Sequence, residues 1–273
     1  MGSHLLVQLS DLHLTSAKRL RAGAEPATGL AVALAAIEGH ALRPDVVLVS
    51  GDIADRGEAS CYRELADLLA SSPALAGALV VATPGNHDRR SAMREHLLAR
   101  LPGGTGATGT GDEPLNSVAL HGGLRIIALD STIPGEDAGA LAPATLRFLR
   151  DELTRPAREG TILMLHHPPI DSPIEPMARL GLREPEALAD AIGASDVRLI
   201  TCGHAHHHCQ GMLGSVPVLV APATAYLADP LSAREFRPVS GAGLTRIDVR
   251  EQGIVASMVP LQVPAWLDRA GPA

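Results

Sequence analysis

The segment VVLVSGDIAD, residues 46–55, joins an apolar run to an acidic side chain through a glycine. Residues 46–49 are aliphatic and mostly β-branched, which is typical of a strand buried on both faces. Gly51 allows the chain to leave the strand sharply and its backbone to approach an ion or a phosphate closely. The segment therefore predicts a buried strand that holds Asp52 at its carboxyl end.

Similar apolar runs recur along the chain, with helical patterns between them. The strand-like runs are residues 5–9, 46–49, 79–82, 124–129, 161–165 and 197–201. Apolar residues at helical spacing occupy residues 29–42, 61–69, 91–101, 142–152 and 184–192. This alternation predicts an α/β fold whose sheet contains parallel segments.

The pattern changes near the C-terminus, where residues 216–221, 243–250 and 253–260 are strand-like without helices between them. We expect an antiparallel section at about residues 211–260, with Gln252-Gly253 as the tight turn of a hairpin. Residues 102–114 are rich in glycine and threonine and predict a surface loop. Because no internal repeat or long linker is present, one domain over residues 1–273 is expected.

The composition limits the possible partners and location. A formal charge of −7 gives no positive potential for long nucleic acid or an anionic membrane, so a small substrate fits better. Three cysteines without a C-x-x-C spacing indicate reduced thiols. No signal-peptide pattern or membrane-spanning stretch is found, so a cytoplasmic location is expected. Gly2-Ser3-His4 matches residues that cloning leaves behind, and no function is predicted for His4.

Five short polar blocks each follow one of the strand-like runs. They are Asp11-Leu12-His13, Gly51-Asp52, Gly85-Asn86-His87-Asp88, His166-His167-Pro168-Pro169 and Gly203-His204-Ala205-His206. Because the carboxyl ends of parallel strands open onto one crevice, the blocks are expected to converge although they are far apart in the chain. Carboxylates, imidazoles and an amide oxygen are the ligands expected for Mn, Fe, Zn or Co.

Two of the blocks hold pairs of candidate ligands two residues apart. In an extended backbone, Asp11 and His13 would project to the same side, and so would His204 and His206. Each pair could then bind one metal cluster from one strand end.

Several polar residues beyond the blocks have no assigned partner. Strand alternation sends His207 and His208 in opposite directions, and both are expected in solvent or at the rim of the site. Thr224, Tyr226 and Asp229 follow a strand, so they could border the pocket or belong to an ordinary exit loop.

The ordered series D-x-H, GD, GNHD, HHPP and GHxH resembles the signature of calcineurin-like metallophosphoesterases, over residues 5 to about 210. The phrases LRPD (42–45), GDIAD (51–55) and LHHPP (165–169) most resemble bacterial class III cyclic nucleotide phosphodiesterases and related glycerophosphodiesterases. The resemblance implies a four-layer αββα sandwich with two mixed sheets, and a possible homodimer.

The resemblance also implies two metal ions held by seven side chains. The first ion would be bound by Asp11, His13, Asp52 and His206, and the second by Asn86, His166, His204 and again Asp52 as a bridge. The resemblance leaves His87 facing the substrate as the catalytic residue, beside Asn86. His167 and Asp88 are expected to orient the ligands next to them.

Two metals roughly 3.5 to 4 Å apart lower the pKa of a shared water and bind the phosphoryl oxygens. The resemblance thus implies in-line attack by a metal-bridging hydroxide on a small phosphodiester, such as a 3′,5′- or 2′,3′-cyclic nucleotide. Fe/Mn or Mn/Mn is the expected metal pair, with Zn or Co as alternatives. A phosphomonoesterase, nuclease, pyrophosphatase or glycerophosphodiesterase with the same metals stays open. A non-catalytic scaffold is a further alternative, although such a protein would be expected to have lost ligands.

Overall fold

The computed structural model describes residues 2–20, 23–101 and 110–263. The strands of its two large sheets are β1 (His4–Leu9), β2 (Val46–Ser50), β3 (Leu79–Thr83), β4 (Ser117–His121), β5 (Leu124–Ala128), β6 (Thr161–Met164), β7 (Val197–Cys202), β8 (Cys209–Leu213), β9 (Val216–Val220), β12 (Ala242–Arg250) and β13 (Gly253–Leu261). Two short strands, β10 (Leu227–Ala228) and β11 (Pro238–Val239), pair with each other. The helices are α1 (Pro26–Gly39), α2 (Ala59–Ser71), α3 (Arg90–His96), α4 (Pro143–Leu153), α5 (Glu175–Arg179) and α6 (Pro185–Ile192).

The two large sheets are both mixed. The first has the order β13-β12-β1-β2-β3, in which β1, β2 and β3 are parallel and β12 is antiparallel to β1. The second has the order β4-β5-β6-β7-β9-β8, in which the four inner strands are parallel and both edge strands are antiparallel to their neighbours.

Side-chain alternation along the strands divides the core into three layers of apolar contacts. In β1, Leu6 packs between the two sheets, whereas Val7 packs with the α1 residues Leu30 and Ile37. Leu149 of α4 packs in the same way on the outer face of the second sheet. The layers therefore follow the order helix, sheet, sheet, helix, which confirms the predicted αββα sandwich with two mixed sheets.

The predicted C-terminal antiparallel section is divided between the two sheets. Strand β9 lies in the second sheet, antiparallel to β8 but parallel to β7, while β12 and β13 form a hairpin in the first sheet. The hairpin pairs Arg250 with Gly253, so its turn is Glu251-Gln252 and not Gln252-Gly253. Gly253 begins β13 with φ 152°. Within the predicted loop at residues 102–114, residues 102–109 lie outside the described part of the chain.

A buried polar residue connects the two sheets beneath the carboxyl ends of their strands. Gln8 of β1 donates hydrogen bonds from Nε2 to Ser50 Oγ at 2.8 Å and to the carbonyl of Cys202 at 2.9 Å. Because Cys202 ends β7, the Gln8 side chain fixes the first sheet against the second.

None of the helices in the described ranges has the length and apolar character needed to cross a membrane.

Candidate metal centre

The seven predicted ligands come from the carboxyl ends of five parallel strands in two different sheets. Asp11, Asp52 and Asn86 follow β1, β2 and β3 of the first sheet. The histidines follow β6 and β7 of the second sheet, except His13, which lies in the Asp11 block. The crevice is therefore formed where the two sheets meet, and not within one sheet as the strand pattern alone suggested.

Four of the predicted ligands form the first donor group. One donor atom from each of Asp11, His13, Asp52 and His206 lies within 4.8 Å of the others, and all four residues are buried. The Nε2 atoms of His13 and His206 are 3.1 Å apart, and His206 Nε2 lies 3.5 Å from Asp11 Oδ1. Two carboxylates and two imidazoles at these separations form a donor set suited to one transition-metal ion.

The second group shares Asp52 with the first. Asp52 Oδ2 lies 3.6 Å from His13 Nε2 and 3.4 Å from His166 Nε2. The ring centroid of His166 lies 5.1 Å from that of His204. His204 Nδ1 in turn lies 3.1 Å from Asn86 Oδ1. A single carboxylate oxygen thus faces both groups of donors.

Five of the seven residues have a left-handed backbone, which corrects the expectation of extended pairs. The φ angles are 51° at Asp11, 44° at His13, 49° at Asp52, 71° at His204 and 56° at His206. Non-glycine residues rarely adopt this conformation, and it persists only where surrounding contacts impose it. The paired side chains therefore converge through tight turns and not through strand alternation.

Hydrogen bonds between loops impose these turns. The amide of His13 donates to the carbonyl of Asp52 at 2.8 Å, and that of Asp11 donates to the carbonyl of Gly51 at 3.1 Å. The amide of His204 donates to both carboxylate oxygens of Asp11, at 3.0 and 3.1 Å. Ligand loops from both sheets are thus bonded directly to one another.

Two imidazoles are oriented by backbone carbonyls. His206 Nδ1 lies 3.1 Å from the carbonyl of Tyr226, and His166 Nδ1 lies 2.7 Å from the carbonyl of Ser50. In the neutral ring, donation from Nδ1 leaves Nε2 as the atom that can bind a metal, the arrangement that metal-bound histidines usually have. Among the described residues, buried His166 Nε2 has no hydrogen-bond partner, and Asp52 Oδ2 lies 3.4 Å away, so the residues present fit a metal ion.

The electrostatics of the centre also suit a cation. Burial raises the pKa of Asp52, but the nearby His166, His87 and His13 more than offset this and hold its pKa well below the usual value. Burial keeps the pKa values of His204 and His206 well below their usual value. Asp52 is therefore ionised and these two imidazoles are neutral, which are the states that bind metals. Burial lowers the pKa of His166, but Asp52 more than offsets this and raises it to about 9, so a metal would have to displace a proton from that imidazole.

His87 stands at the open side of the centre. Its amide donates to Asp52 Oδ1 at 2.9 Å, and its Nδ1 lies 2.8 Å from the carbonyl of Asp55. With Nδ1 engaged, Nε2 is the atom that faces Asp52 Oδ2, at 4.0 Å, and 38% of the side chain is exposed. His87 is therefore positioned to contact a substrate at the centre without entering the two main donor groups.

Asp88 and His167, expected as supporting residues, are both held in hydrogen-bond networks. The Asp88 carboxylate accepts from the amides of Ile53, Ala54 and Gly85 and from the Tyr62 hydroxyl, at 2.9 to 3.1 Å. His167 Nδ1 lies 2.8 Å from Ser131 Oγ, and burial lowers the pKa of His167 to about 3. His167 is thus neutral, and Asp88 ties the Asp52 loop to the Asn86 loop.

Two further residues lie at the centre: Asp55, which the sequence did not assign to the site, and Tyr226, for which the sequence left two alternatives open. Asp55 Oδ1 lies 3.4 Å from His13 Nδ1, yet Asp55 is only the last residue of the GDIAD phrase. The centroid of the Tyr226 ring lies 4.4 Å from that of the His206 ring, so Tyr226 borders the centre. An aromatic ring packed against His206 carries no sequence signal beyond its position after a strand.

Thr224 and Asp229, by contrast, have other partners. Thr224 is buried and donates to the carbonyl of Gly243, and Asp229 forms an ion pair with Arg237.

The expectation for His207 is wrong. Its side chain is buried, and its Nε2 lies 2.9 Å from Ser172 Oγ. The left-handed turn at His206 removes the alternation on which that expectation rested. His208 is half-buried.

Fold and site together define a metallophosphoesterase, and comparisons with known proteins agree. The sequence profile of the calcineurin-like phosphoesterase family matches residues 4–208. A cAMP/cGMP dual specificity phosphodiesterase of Mycobacterium tuberculosis is 37% identical over 261 residues, which cover 94% of this chain and 80% of the relative. A probable cyclic nucleotide phosphodiesterase of Rhodococcus erythropolis is 38% identical over 260 residues, covering 94% and 84%.

A solved structure supports the fold alone. The purple acid phosphatase PPD1 of yellow lupin aligns with a TM-score of 0.62 at 14% identity, over 97% of this chain and 53% of that one.

The profile match and the two bacterial relatives show that the chain belongs to the calcineurin-like phosphoesterase family, whose members are metal-dependent hydrolases, as its sequence motifs predicted.

Proposed function

We propose that this chain is a dinuclear metal-dependent phosphodiesterase that hydrolyses small diesters, with cyclic nucleotides as its principal substrates. The observation that carries the proposal is the placement of Asp52 Oδ2, 3.6 Å from His13 Nε2 and 3.4 Å from His166 Nε2. One carboxylate oxygen between two donor groups is the arrangement that a bridging ligand requires.

The proposed ligands divide as the family resemblance implies. Asp11, His13, Asp52 and His206 would hold one ion, and Asp52, Asn86, His166 and His204 the other. When bound, two such ions supply a nucleophile at neutral pH and neutralise charge on the phosphoryl oxygens. Mn with Fe, or two Mn ions, suit this oxygen and nitrogen donor set, and Zn or Co would also be accommodated.

The protein itself orients the His87 imidazole toward the centre, where this side chain can take part in proton transfer. The Asp55 carbonyl holds His87 so that its Nε2 faces the centre, where it can stabilise the phosphoryl group or protonate the leaving alkoxide. The hydrogen bond from the backbone amide of His87 to Asp52 Oδ1 couples the position of this imidazole to the position of the bridging carboxylate. Asn86, adjacent in the chain and half-buried, would contact the same substrate from the second donor group.

Substrate class rests on the relatives and on charge. Two relatives that align with nearly all of this chain are named as cyclic nucleotide phosphodiesterases. More distant ones are named as glycerophosphodiester phosphodiesterases. The formal charge of −7 gives no support for binding long nucleic acid, so a small diester is the better substrate.

A turnover panel tests the proposal. The chain, stripped of metal and resupplied with Mn²⁺, is assayed against 3′,5′-cyclic AMP and GMP, 2′,3′-cyclic nucleotides, glycerol diesters and phosphomonoesters. We expect the cyclic diesters to give the highest kcat/KM. Asp52→Asn, purified in parallel, serves as the control for contaminating hydrolases and should be inactive. Preference for monoesters, or equal activity in Asp52→Asn, would overturn the proposal.

A further inference from the structure

A second group of imidazole and carboxylate side chains lies at the opposite end of the strands from the metal centre. His4 begins β1, and Asp45 immediately precedes β2 in the same sheet. His121 ends β4 in the second sheet, where it pairs with Leu124 at the start of β5. The three residues therefore meet at the amino ends of parallel strands and join the two sheets.

Their donor atoms are close enough to bind one cation. One donor atom from each of His4, Asp45 and His121 lies within 4.8 Å of the other two. His121 Nε2 is 3.6 Å from Asp45 Oδ1, and the rings of His4 and His121 are nearly perpendicular with centroids 5.5 Å apart. A tetrahedral Zn²⁺ with bonds of about 2.0 to 2.1 Å keeps its donors roughly 3.3 Å apart, so small side-chain rotations suffice.

In His4 and Asp45, one of the two donor atoms is held by a hydrogen bond within the protein, and the other remains to bind a cation. His4 Nε2 lies 2.6 Å from Glu159 Oε2, so Nδ1 is its remaining donor atom. Asp45 Oδ2 accepts the amide of Leu5 at 2.8 Å, which leaves Oδ1 facing His121. A carboxylate that orients a histidine through its second ring nitrogen is the support that metal-binding histidines usually have.

The group is anchored on one side and open on the other. His4 is only 5% exposed, and Glu159 is held by the amide of Gly2 at 3.1 Å. The side chains of His121 and Asp45 are 35% and 36% exposed, so a cation can enter from solvent and keep a water ligand. The burial of His4 and its contact with Glu159 give this side chain a structural role that its sequence context did not predict.

We propose that His4, Asp45 and His121 bind a divalent transition-metal cation, with Glu159 orienting His4. The donor set of two imidazoles and one carboxylate with an open position matches Zn²⁺. Because the ligands come from both sheets, this cation stabilises the sandwich at the end remote from the dinuclear centre. It takes no part in hydrolysis, so the site is independent of the proposed function.

Metal counting tests the site directly. The wild-type chain and His121→Ala are dialysed to equilibrium against the same Zn²⁺ buffer, and bound zinc per chain is measured by elemental analysis. We expect His121→Ala to hold one equivalent less than wild type. His40→Ala, which removes an exposed histidine at the end of α1, is the matched control and should hold the wild-type amount. Only the difference between chains is used, so the occupancy of the dinuclear centre does not affect the result.

A second variant guards against a folding defect in the first. Asp45→Asn keeps an acceptor for the amide of Leu5 but loses the charge that faces His121. Zinc should raise the Tm of wild type by several degrees more than that of Asp45→Asn, while diester turnover stays unchanged. Equal zinc content in wild type and His121→Ala, or an equal zinc-dependent Tm shift in Asp45→Asn, would overturn the proposal.

Discussion

Asp52 uses its two carboxylate oxygens differently. Oδ1 accepts the amide of His87 at 2.9 Å, while Oδ2 faces His13 and His166 across the boundary between the two donor groups. The same side chain thus positions His87 and faces both donor groups. Its burial is tolerated because three histidines surround it and hold its pKa well below the usual value.

At the residue scale, His87→Ala separates catalysis from metal binding. The variant should keep its metal content, because His87 is outside the seven-ligand set, and lose roughly 10²- to 10⁴-fold in kcat, the usual contribution of a general acid. Metal content and cyclic-diester turnover are measured on the same preparation. His96→Ala, a change on helix α3, should leave both unchanged. Metal loss in His87→Ala, or undiminished turnover, would show that its role is wrongly assigned.

Asp55 provides a second test at this scale. Its carboxylate lies 3.4 Å from His13 Nδ1, so it can orient that imidazole and increase its basicity. Asp55→Ala should weaken metal binding roughly 10- to 100-fold without unfolding the chain. Metal titration followed by activity gives the apparent Kd. The exposed Asp190 supplies a matched control, Asp190→Ala, and an unchanged Kd in Asp55→Ala would remove Asp55 from the centre.

At the element scale, the centre depends on glycines where two loops approach closely. A Cβ on Gly203 would lie 2.0 Å from Ser10 Oγ and 2.8 Å from Asp11 Oδ2. Gly203→Ala should lower the free energy of unfolding by about 1 to 3 kcal/mol and reduce metal content, because Asp11 must move. Gly39→Ala, where a Cβ would meet nothing within 4 Å, should be neutral or stabilising. Urea unfolding compares the two, and equal stability would contradict the role of close loop packing.

The elements that sequence predicted well are those with an unbroken apolar run. Strands β2 and β6 lie within one residue of the predicted ranges because burial on both faces leaves a continuous aliphatic signal. Strand β8 was missed because its residues alternate between half-buried and exposed and include Gly211. The left-handed turns at Asp11 and His206 were not predictable, since hydrogen bonds between distant loops impose them and not local propensity.

At the scale of the whole molecule, the sequence predicted convergence but not its geometry. The five polar blocks indicated one site, yet local pattern carries no information on strand order, so their division between two sheets entered only through the family resemblance. The link from Gln8 to Cys202 is likewise invisible in sequence because it joins residues 194 positions apart. Packing of the sheets, and not any single loop, brings His204 beside Asn86.

Anomalous diffraction from a crystal grown with Mn²⁺ tests the central claim most directly. Data collected above and below the manganese absorption edge identify manganese by the change in its anomalous signal. We expect two peaks roughly 3.5 to 4 Å apart with Asp52 Oδ2 bonded to both. A single peak, or two peaks that Asp52 does not join, would contradict the dinuclear centre.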